Sequence, residues 1–210
     1  MFDESIRKLQ EDNHIPLIFT DSYSSIRSIT NVGIDDYTGG ELAAKHFLEN
    51  GHRNLAFYGP EVLDNGVVMH RLRGFVTVLR EAGLSLPPEN FMNLEVKDLG
   101  GELKKLCSGE NPVTGIFTTA DNCAYQIYSE AYRMGIRVPE DLSVIGFDDL
   151  NMSARMSPPL TTVVQDIKKK AAVTCALLMK NIKERDCPAE NIVLGVKLAE
   201  RASVRKLGGH

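Results

Sequence analysis

An α/β fold with parallel sheets is predicted by three features of the sequence. Short apolar runs rich in β-branched residues recur along the chain, and segments of helical period separate them. One of these runs, Leu142–Phe147 (LSVIGF), has no polar alternation, as is typical of a strand buried on both faces of a parallel sheet. Acidic residues follow several runs directly, at the point where such strands end. Strands that alternate with helices favour parallel pairing through right-handed crossovers.

The elements follow from local patterns of spacing, capping and chain breaking. Gly51, Gly83 and Gly135 are expected to end helices, and Pro158 and Pro159 exclude helix before the next strand. Predicted helices are 2–12, 41–49, 70–84, 100–107, 122–134 and 167–182. Predicted strands are 15–20, 29–34, 55–60, 87–96 (weak), 115–121, 142–147, 160–165 and, more loosely, 190–204. The strands at 29–34 and 55–60, with the helix between them, are interpreted as one βαβ crossover.

Composition narrows the class of protein. The chain has 210 residues, of which 43% are hydrophobic and 25% charged, enough for one or two packed lobes. Its net charge of −4 and pI near 5.8, without a cluster of Lys and Arg, argue against binding to a nucleic-acid backbone. Any contact with DNA is therefore expected from a segment outside these residues.

The pattern of cysteines and apolar residues predicts a cytoplasmic protein without a metal site. The four cysteines form no CxxC pair and are interpreted as reduced thiols. The first residues, MFDESIRKLQEDN, are acidic and lack the apolar core of a signal peptide. No run approaches the ~20 apolar residues that span a membrane, so no membrane contact is expected.

No cofactor is predicted. Gly39 and Gly40 precede a helix, an arrangement that binds phosphate in some proteins. The surrounding residues match neither GxGxxG nor GxxxxGK[ST], so close packing of the backbone is the favoured interpretation.

Two acids at the end of Leu142–Phe147 are candidate ligand-binding residues. In open α/β sheets small molecules bind beyond the carboxyl ends of the strands, where a carboxylate accepts hydrogen bonds from hydroxyl or N–H groups. Successive side chains of an extended segment point to opposite sides. Asp148 is therefore predicted to face the ligand and Asp149 to serve the following turn. Asp21 ends another strand in the same way, although DSYSS also suits a simple turn.

Several motifs together resemble the lac repressor family of bacterial transcription regulators. VIGFDDL (144–150) and SPPLTTV (157–163) are similar to the C-terminal half of that family, and NVGIDDYTGG, GHRNLAFYGP and RLRGF extend the likeness along the chain. The resemblance implies a two-lobed, periplasmic-binding-protein-like (type I) fold with parallel sheets, whose first lobe is incomplete here. It implies lobes of residues 1–50 with 165–196, and of 51–164 with 197–206. The family's helix-turn-helix headpiece has no counterpart in these residues.

The resemblance also implies a site for a small-molecule effector in the cleft between the lobes. Arg71 occupies the place of the RLxGF arginine that donates to the effector, and its planar fork suits carboxylate or polyol oxygens. A solvated helix arginine is the alternative. Asp35 is expected to approach Arg71 from the other lobe. The implied effector-binding residues are Asp21, Asp35, Arg71, Phe117, Ala120 and Asp148.

At two of these positions, Ala120 and Phe117, the sequence does not establish which groups of the effector would be contacted. Family members usually carry Asn-Asp where this chain has Ala120-Asp121, so a side-chain amide is missing. Phe117 matches a position at which some members stack an aromatic ring on the ligand. Plain sheet core is an equal alternative for Phe117.

The predicted function is the effector-binding and dimerisation core of a lac-repressor-like regulator. Its effector would resemble a sugar or a nucleobase, it would form a homodimer, and it would reach operator DNA only through a headpiece. It is not expected to be an enzyme, because no nucleophile is paired with a base. A solute-binding protein of a sugar transport system shares the fold, and an α/β enzyme acting on small molecules is a further alternative.

Overall fold

A computed structural model describes residues 5, 6, 8, 15–23, 29–60, 66–184 and 187–208. The predicted opening helix, 2–12, lies mostly outside the described residues. Ser5, Ile6 and Lys8, which are described, are helical. In chain order the further elements are β1 (Ile18–Thr20), β2 (Thr30–Ile34), α1 (Asp36–Glu49), β3 (Leu55–Gly59), α2 (Val67–Glu81), β4 (Phe91–Asn93), α3 (Leu99–Leu106), β5 (Gly115–Thr118), α4 (Asp121–Met134), β6 (Ser143–Asp148), β7 (Thr161–Val164), α5 (Ile167–Lys183), β8 (Asn191–Leu194) and β9 (Lys197–Ala199).

The chain divides into two compact units. Unit 1 takes its described residues from 1–35, 65–67 and 166–195, and unit 2 from 36–64, 68–165 and 196–210. Helix α1 therefore belongs to unit 2, whereas the sequence placed residues up to Asn50 with the first lobe. The physical reason is that Gly39 approaches Phe147 closely: a Cβ on Gly39 would lie 2.5 Å from its ring.

Unit 1 contains a three-stranded parallel sheet in the order β1-β2-β8. Helix α5 packs against β1 and β2. No residue of α5 is fully buried, and Met179 is 52% exposed. The helix covers these strands with its half-buried residues Val173, Thr174, Leu177 and Leu178.

Unit 2 contains a six-stranded sheet in the order β4-β3-β5-β6-β7-β9. The first five strands are parallel, and β9 joins β7 in the antiparallel direction. In β6, Ser143 to Phe147 are all buried, which confirms the prediction of a strand covered on both faces. All residues of β3 and β5 are buried as well. The predicted βαβ crossover is wrong, because β2 and β3 belong to different sheets.

Two apolar clusters cover the sheet of unit 2. Along β3, Ala56 and Tyr58 point into a cluster with Ile116 of β5 and Val144 of β6. The alternate residues build an aromatic cluster on the other face, in which the Phe117 ring stacks on Phe75 at 5.2 Å. Among the described residues, five phenylalanines are fully buried: Phe47, Phe57, Phe75, Phe117 and Phe147. Because a strand alternates its side chains, one buried run supplies both clusters.

Close backbone contact joins α1 to α2. A Cβ on Gly40 would lie 1.9 Å from the carbonyl oxygen of Arg71, and a Cβ on Gly74 would lie 2.0 Å from that of Tyr37. Only glycine permits this approach, so the prediction that Gly39 and Gly40 serve packing is confirmed. The contact brings the first turn of α1 against Arg71.

Candidate functional site

The carboxyl ends of β3, β5, β6 and β7 lie along one edge of the unit 2 sheet, because these strands are parallel. Loops that leave such an edge are where open α/β sheets bind small molecules. Polar and charged side chains collect here: Arg71 from α2, Thr119 after β5, Asp148 at the end of β6 and Gln165 after β7.

Arg71 is buried and held by three groups of unit 2. Its side chain is 10% exposed. Nε donates to Oδ1 of Asp36 at 2.7 Å, and Nη1 donates to the carbonyl oxygen of Thr119. The Cζ atom lies 3.5 Å from the centroid of the Phe147 ring, a cation–π contact. The solvated arginine of the alternative interpretation is therefore excluded.

These contacts leave part of the guanidinium available. A guanidinium has five N–H donors, and two of them are used by Asp36 and Thr119. Within the described part of the chain, Nη2 of Arg71 makes no hydrogen bond and is not among the buried unpartnered atoms. The edge formed by Nη1 and Nη2 can therefore still donate to a ligand oxygen.

Asp36 is a partner of Arg71 that sequence reasoning missed. Its side chain is 1% exposed, and it is the first residue of α1. The sequence assigned this role to Asp35, which directly follows β2 in unit 1. The N–H of Asp35 donates to the Leu194 carbonyl oxygen at 2.9 Å. The signal available was the pair of glycines, which bring the first turn of α1 against Arg71. A role for Asp35 toward the effector stays a prediction.

Asp148 and Asp149 have different surroundings, as the sequence suggested. Oδ1 of Asp148 accepts from Nε2 of Gln165 at 2.7 Å. Oδ1 of Asp149 accepts instead from Nη2 of Arg201 at 2.6 Å. Asp149 is thus paired with a cation near β9, while Asp148 stays at the strand edge. The effector contact of Asp148 remains a prediction.

Both aspartates have positive φ, 119° at Asp148 and 56° at Asp149. Residues other than glycine rarely adopt such values, and they persist where the surrounding structure imposes them, often at functional sites. The third residue of this kind in the described chain is Asp21, with φ of 51°. Two of the predicted site residues thus share an unusual backbone conformation at a strand end.

Asp21, in unit 1, directly follows β1. Its Oδ2 accepts from Nζ of Lys170 at 2.5 Å. Among the described residues, its Oδ1 is the one buried side-chain oxygen or nitrogen without a hydrogen-bond partner. An unsatisfied buried carboxylate oxygen calls for an explanation, and a ligand donor is one. The role of Asp21 toward the effector remains a prediction, and a turn residue remains the alternative.

Phe117 and Ala120 come from β5 and the loop that follows it. Phe117 has no exposed surface and also meets the Phe57 ring edge-on at 5.6 Å. This geometry supports the alternative of sheet core, because a ligand could reach the ring only by displacing its neighbours. Ala120 is half-buried immediately before α4, and its carbonyl oxygen accepts from the Thr118 hydroxyl at 3.1 Å. Its role toward an effector remains a prediction.

Asp121 is a buried acid that sequence reasoning did not select. It has no exposed surface, yet it accepts three hydrogen bonds: from the Leu150 N–H at 2.8 Å, the Ser153 hydroxyl at 2.5 Å and the Thr162 hydroxyl at 2.6 Å. Burial raises the pKa of its carboxyl, while these bonds act in the opposite direction. The run of threonines in LTTV was the available signal, since buried hydroxyls need an acceptor.

The described residues were searched for metal sites and for membrane-spanning helices. Among the described residues, no three His, Cys, Asp or Glu side chains are grouped so that they could hold a metal ion. Over the same part of the chain, every helix is too short or too polar to cross a membrane. The described cysteines are free thiols.

The sequence and the fold match a known family. A family model described as a periplasmic binding protein-like domain matches residues 44–204. The HTH-type transcriptional repressor PurR of Aliivibrio salmonicida is 28% identical over 207 residues, which are 98% of this chain and 62% of that repressor. The chain thus spans about 60% of the length of the curated relatives it matches.

Solved structures extend the likeness to proteins with a bound sugar. A LacI family transcriptional regulator from Enterococcus faecalis V583, solved with bound ribose, is 30% identical with a TM-score of 0.86. The match covers 98% of this chain and 74% of that one. A LacI family regulator from Enterococcus faecium, also with bound ribose, is 28% identical with a TM-score of 0.84, and the match covers 98% and 76% of the two chains.

Proposed function

We propose that this chain, which belongs to the LacI family of transcriptional regulators through its periplasmic-binding-protein-like domain, is the effector-binding core of a repressor. The curated relatives are transcriptional repressors, which favours a regulator over a solute-binding protein of a transport system. Repressors act on operator DNA in the cytoplasm, so we propose that location for the whole protein. Because the 210 residues carry a net negative charge, we propose that a helix-turn-helix segment outside them would contact the DNA.

The observation that carries the proposal is the buried, partly satisfied guanidinium of Arg71 on the same sheet edge as Asp148. Arg71 supplies N–H donors and Asp148 supplies carboxylate acceptors. A vicinal diol needs both, because each hydroxyl donates one hydrogen bond and accepts others. The pair therefore suits a polyhydroxylated ligand.

A neutral carbohydrate fits this pair better than an anion. Asp36 already compensates the charge of Arg71, and Asp148 adds a carboxylate to the same edge. Within the part of the chain that the structure describes, the charge of Arg71 is thus offset, and an anionic group on the ligand would lie beside a second carboxylate. The two Enterococcus regulators hold ribose, which is a neutral pentose. We propose D-ribose as the first probe, with nucleobases as the second class.

Binding without turnover is the proposed activity. The chain would act by coupling effector binding to a change in the regulator, and not by catalysis. Incubation with ribose, other sugars and nucleobases, followed by mass spectrometry, is expected to return each compound unchanged. A product formed by the purified chain would contradict this part of the proposal.

Calorimetric titration of D-ribose into the 210-residue chain tests the site directly. Asp148→Asn keeps the shape of the side chain and removes its charge, so affinity should fall by about 10–100-fold, the effect of losing a hydrogen bond to a charged group. Asp141→Asn is the control, since Asp141 is exposed and paired with Arg137. The proposal fails if no sugar or nucleobase binds, or if Asp148→Asn binds as tightly as the unaltered chain.

We propose in addition that the regulator is a homodimer, as the family resemblance implies. Sedimentation of the chain at increasing concentration measures this. A single monomeric species at every concentration would count against dimerisation through these residues.

A further inference from the structure

The turn that follows β6 is held in a conformation that its own sequence does not favour. Asp148 and Asp149 both have positive φ, and no glycine is present at either position. Such a backbone is unfavourable for a residue with a Cβ and persists only where neighbouring groups impose it. Two sets of contacts, one on each side of the turn, do so here.

Asp121 holds the turn from the side of α4. Its Oδ2 accepts from the Leu150 N–H and from the Ser153 hydroxyl, so it fixes the residues directly after Asp149. Gly146 makes room for this carboxylate, because a Cβ there would lie 2.2 Å from Oδ1 of Asp121. The acid is therefore seated against the strand that carries Asp148.

Arg201 holds the turn from the side of β9. Its Nη2 donates to Oδ1 of Asp149 at 2.6 Å, and its Nη1 donates to the Leu160 carbonyl oxygen at 2.8 Å. Its backbone N–H also donates to the Thr161 hydroxyl at 2.9 Å. Because the guanidinium is planar and rigid, anchoring it at Leu160 fixes where Asp149 must lie.

We propose that Asp121 and Arg201 are positioning residues, which together fix the turn so that the carboxylate of Asp148 points along the sheet edge toward the effector. Each acts on the residues after Asp148, through Leu150, Ser153 and Asp149. The inference rests on the proposed function, in which Asp148 accepts hydrogen bonds from the ligand. It adds two residues that the resemblance did not assign.

The first test needs no ligand. The ¹³C chemical shift of the Asp148 carboxyl carbon reports its hydrogen bond from Gln165. Asp121→Asn and Arg201→Gln should move this shift, because the turn relaxes in each. Arg137→Gln is the matched control: it also removes an Arg–Asp pair from unit 2, but on an exposed surface. An unmoved Asp148 shift in both positioning variants overturns the inference.

The second test uses D-ribose and calorimetry. Arg201→Gln and Asp121→Asn should each weaken binding about tenfold, the effect of losing one hydrogen bond to a charged group. Arg201→Lys keeps the charge near Asp149 and should recover part of this loss, whereas a purely structural role predicts no such rescue. Arg137→Gln should bind as the unaltered chain does.

The two proposals fail in different ways. If Asp148→Asn weakens binding but the Asp121 and Arg201 variants do not, the positioning role is wrong and the effector site stands. If Asp148→Asn has no effect on binding, the site is wrong and the carboxyl shift alone decides the positioning role. Should Arg201→Gln fail to fold, Asp149→Asn weakens the same contact and keeps the side-chain shape.

Discussion

The fully buried His52 makes the chain sensitive to acid in a defined pH window. Its ring has no exposed surface. Nε2 lies 3.0 Å from the Arg205 carbonyl oxygen, which can only accept, so Nε2 carries the proton. Nδ1 then accepts from the Thr114 hydroxyl at 2.9 Å. The neutral ring is thus satisfied, and a second proton would place a charge on a fully buried ring.

The size of the effect follows from the pKa of His52. Burial lowers this pKa from 6.5 to about 4. Because the folded-state value lies below the unfolded one, the stabilisation is fully present above pH 6.5 and is lost as the pH falls toward 4. A difference of one between the folded and unfolded pKa corresponds to about 1.4 kcal/mol in the free energy of unfolding. The full loss of stability is therefore about 3 kcal/mol, of which about 2 kcal/mol is lost by pH 5.

Urea unfolding between pH 7.5 and 4.5 measures this effect, with His52→Gln as the reference. Glutamine can donate to the Arg205 carbonyl oxygen and accept from Thr114, but it does not titrate. The free energy of unfolding of the unaltered chain should fall relative to His52→Gln by about 2 kcal/mol between pH 7.5 and pH 5. Parallel pH dependences of the two proteins would refute the reasoning, because every other titrating group is common to both.

Three further predictions concern packing and thiol access. In urea unfolding, Gly40→Ala should lower the free energy of unfolding by about 3 kcal/mol or more, because the new methyl group would meet the backbone of α2. Gly195→Ala is the control: its methyl group would meet no atom within 4 Å, so the free energy of unfolding should change by under about 0.5 kcal/mol. Phe117→Ala should lower the free energy of unfolding by about 3–5 kcal/mol and leave the affinity for ribose unchanged at a temperature where the variant is folded. A loss of affinity in the folded variant would show that Phe117 contributes to the effector site. A thiol reagent should label the exposed Cys175 well before the buried Cys123, because burial raises the pKa of the Cys123 thiol. Mass spectrometry measures the two labelling rates, and equal rates would contradict the prediction.

Local features of the fold were predictable because they depend on neighbouring residues. The unbroken apolar run of β6 and the αL conformation of Gly135 at the end of α4 each have a short-range cause. The assignment of β2 and β3 to one crossover failed because a strand's own residues do not state which sheet it joins.

The site was predictable in its strand ends and not in its supporting contacts. Arg71 and Asp148 stand in recognisable motifs, but the partner of Arg71 is one residue from the one expected. A shift from Asp35 to Asp36 reverses the direction of the side chain and transfers it to the other unit. Asp121 binds Thr162, 41 residues away, a contact that no local pattern encodes.

The positive φ of Asp148 predicts a conflict between stability and binding at that position. Glycine adopts φ of 119° without the steric cost that Asp148 bears, so Asp148→Gly should recover of order 1–3 kcal/mol of strain. Against this, glycine gains about 0.5–1 kcal/mol of freedom in the unfolded chain, and the hydrogen bond from Gln165 is lost. These terms nearly cancel, so the free energy of unfolding should stay within about 1 kcal/mol of the original while ribose binding is lost. Urea unfolding and calorimetry on one preparation measure both. A loss of stability above about 2 kcal/mol would mean that the backbone at Asp148 is not strained, and that the carboxylate is retained for the fold instead of for a ligand.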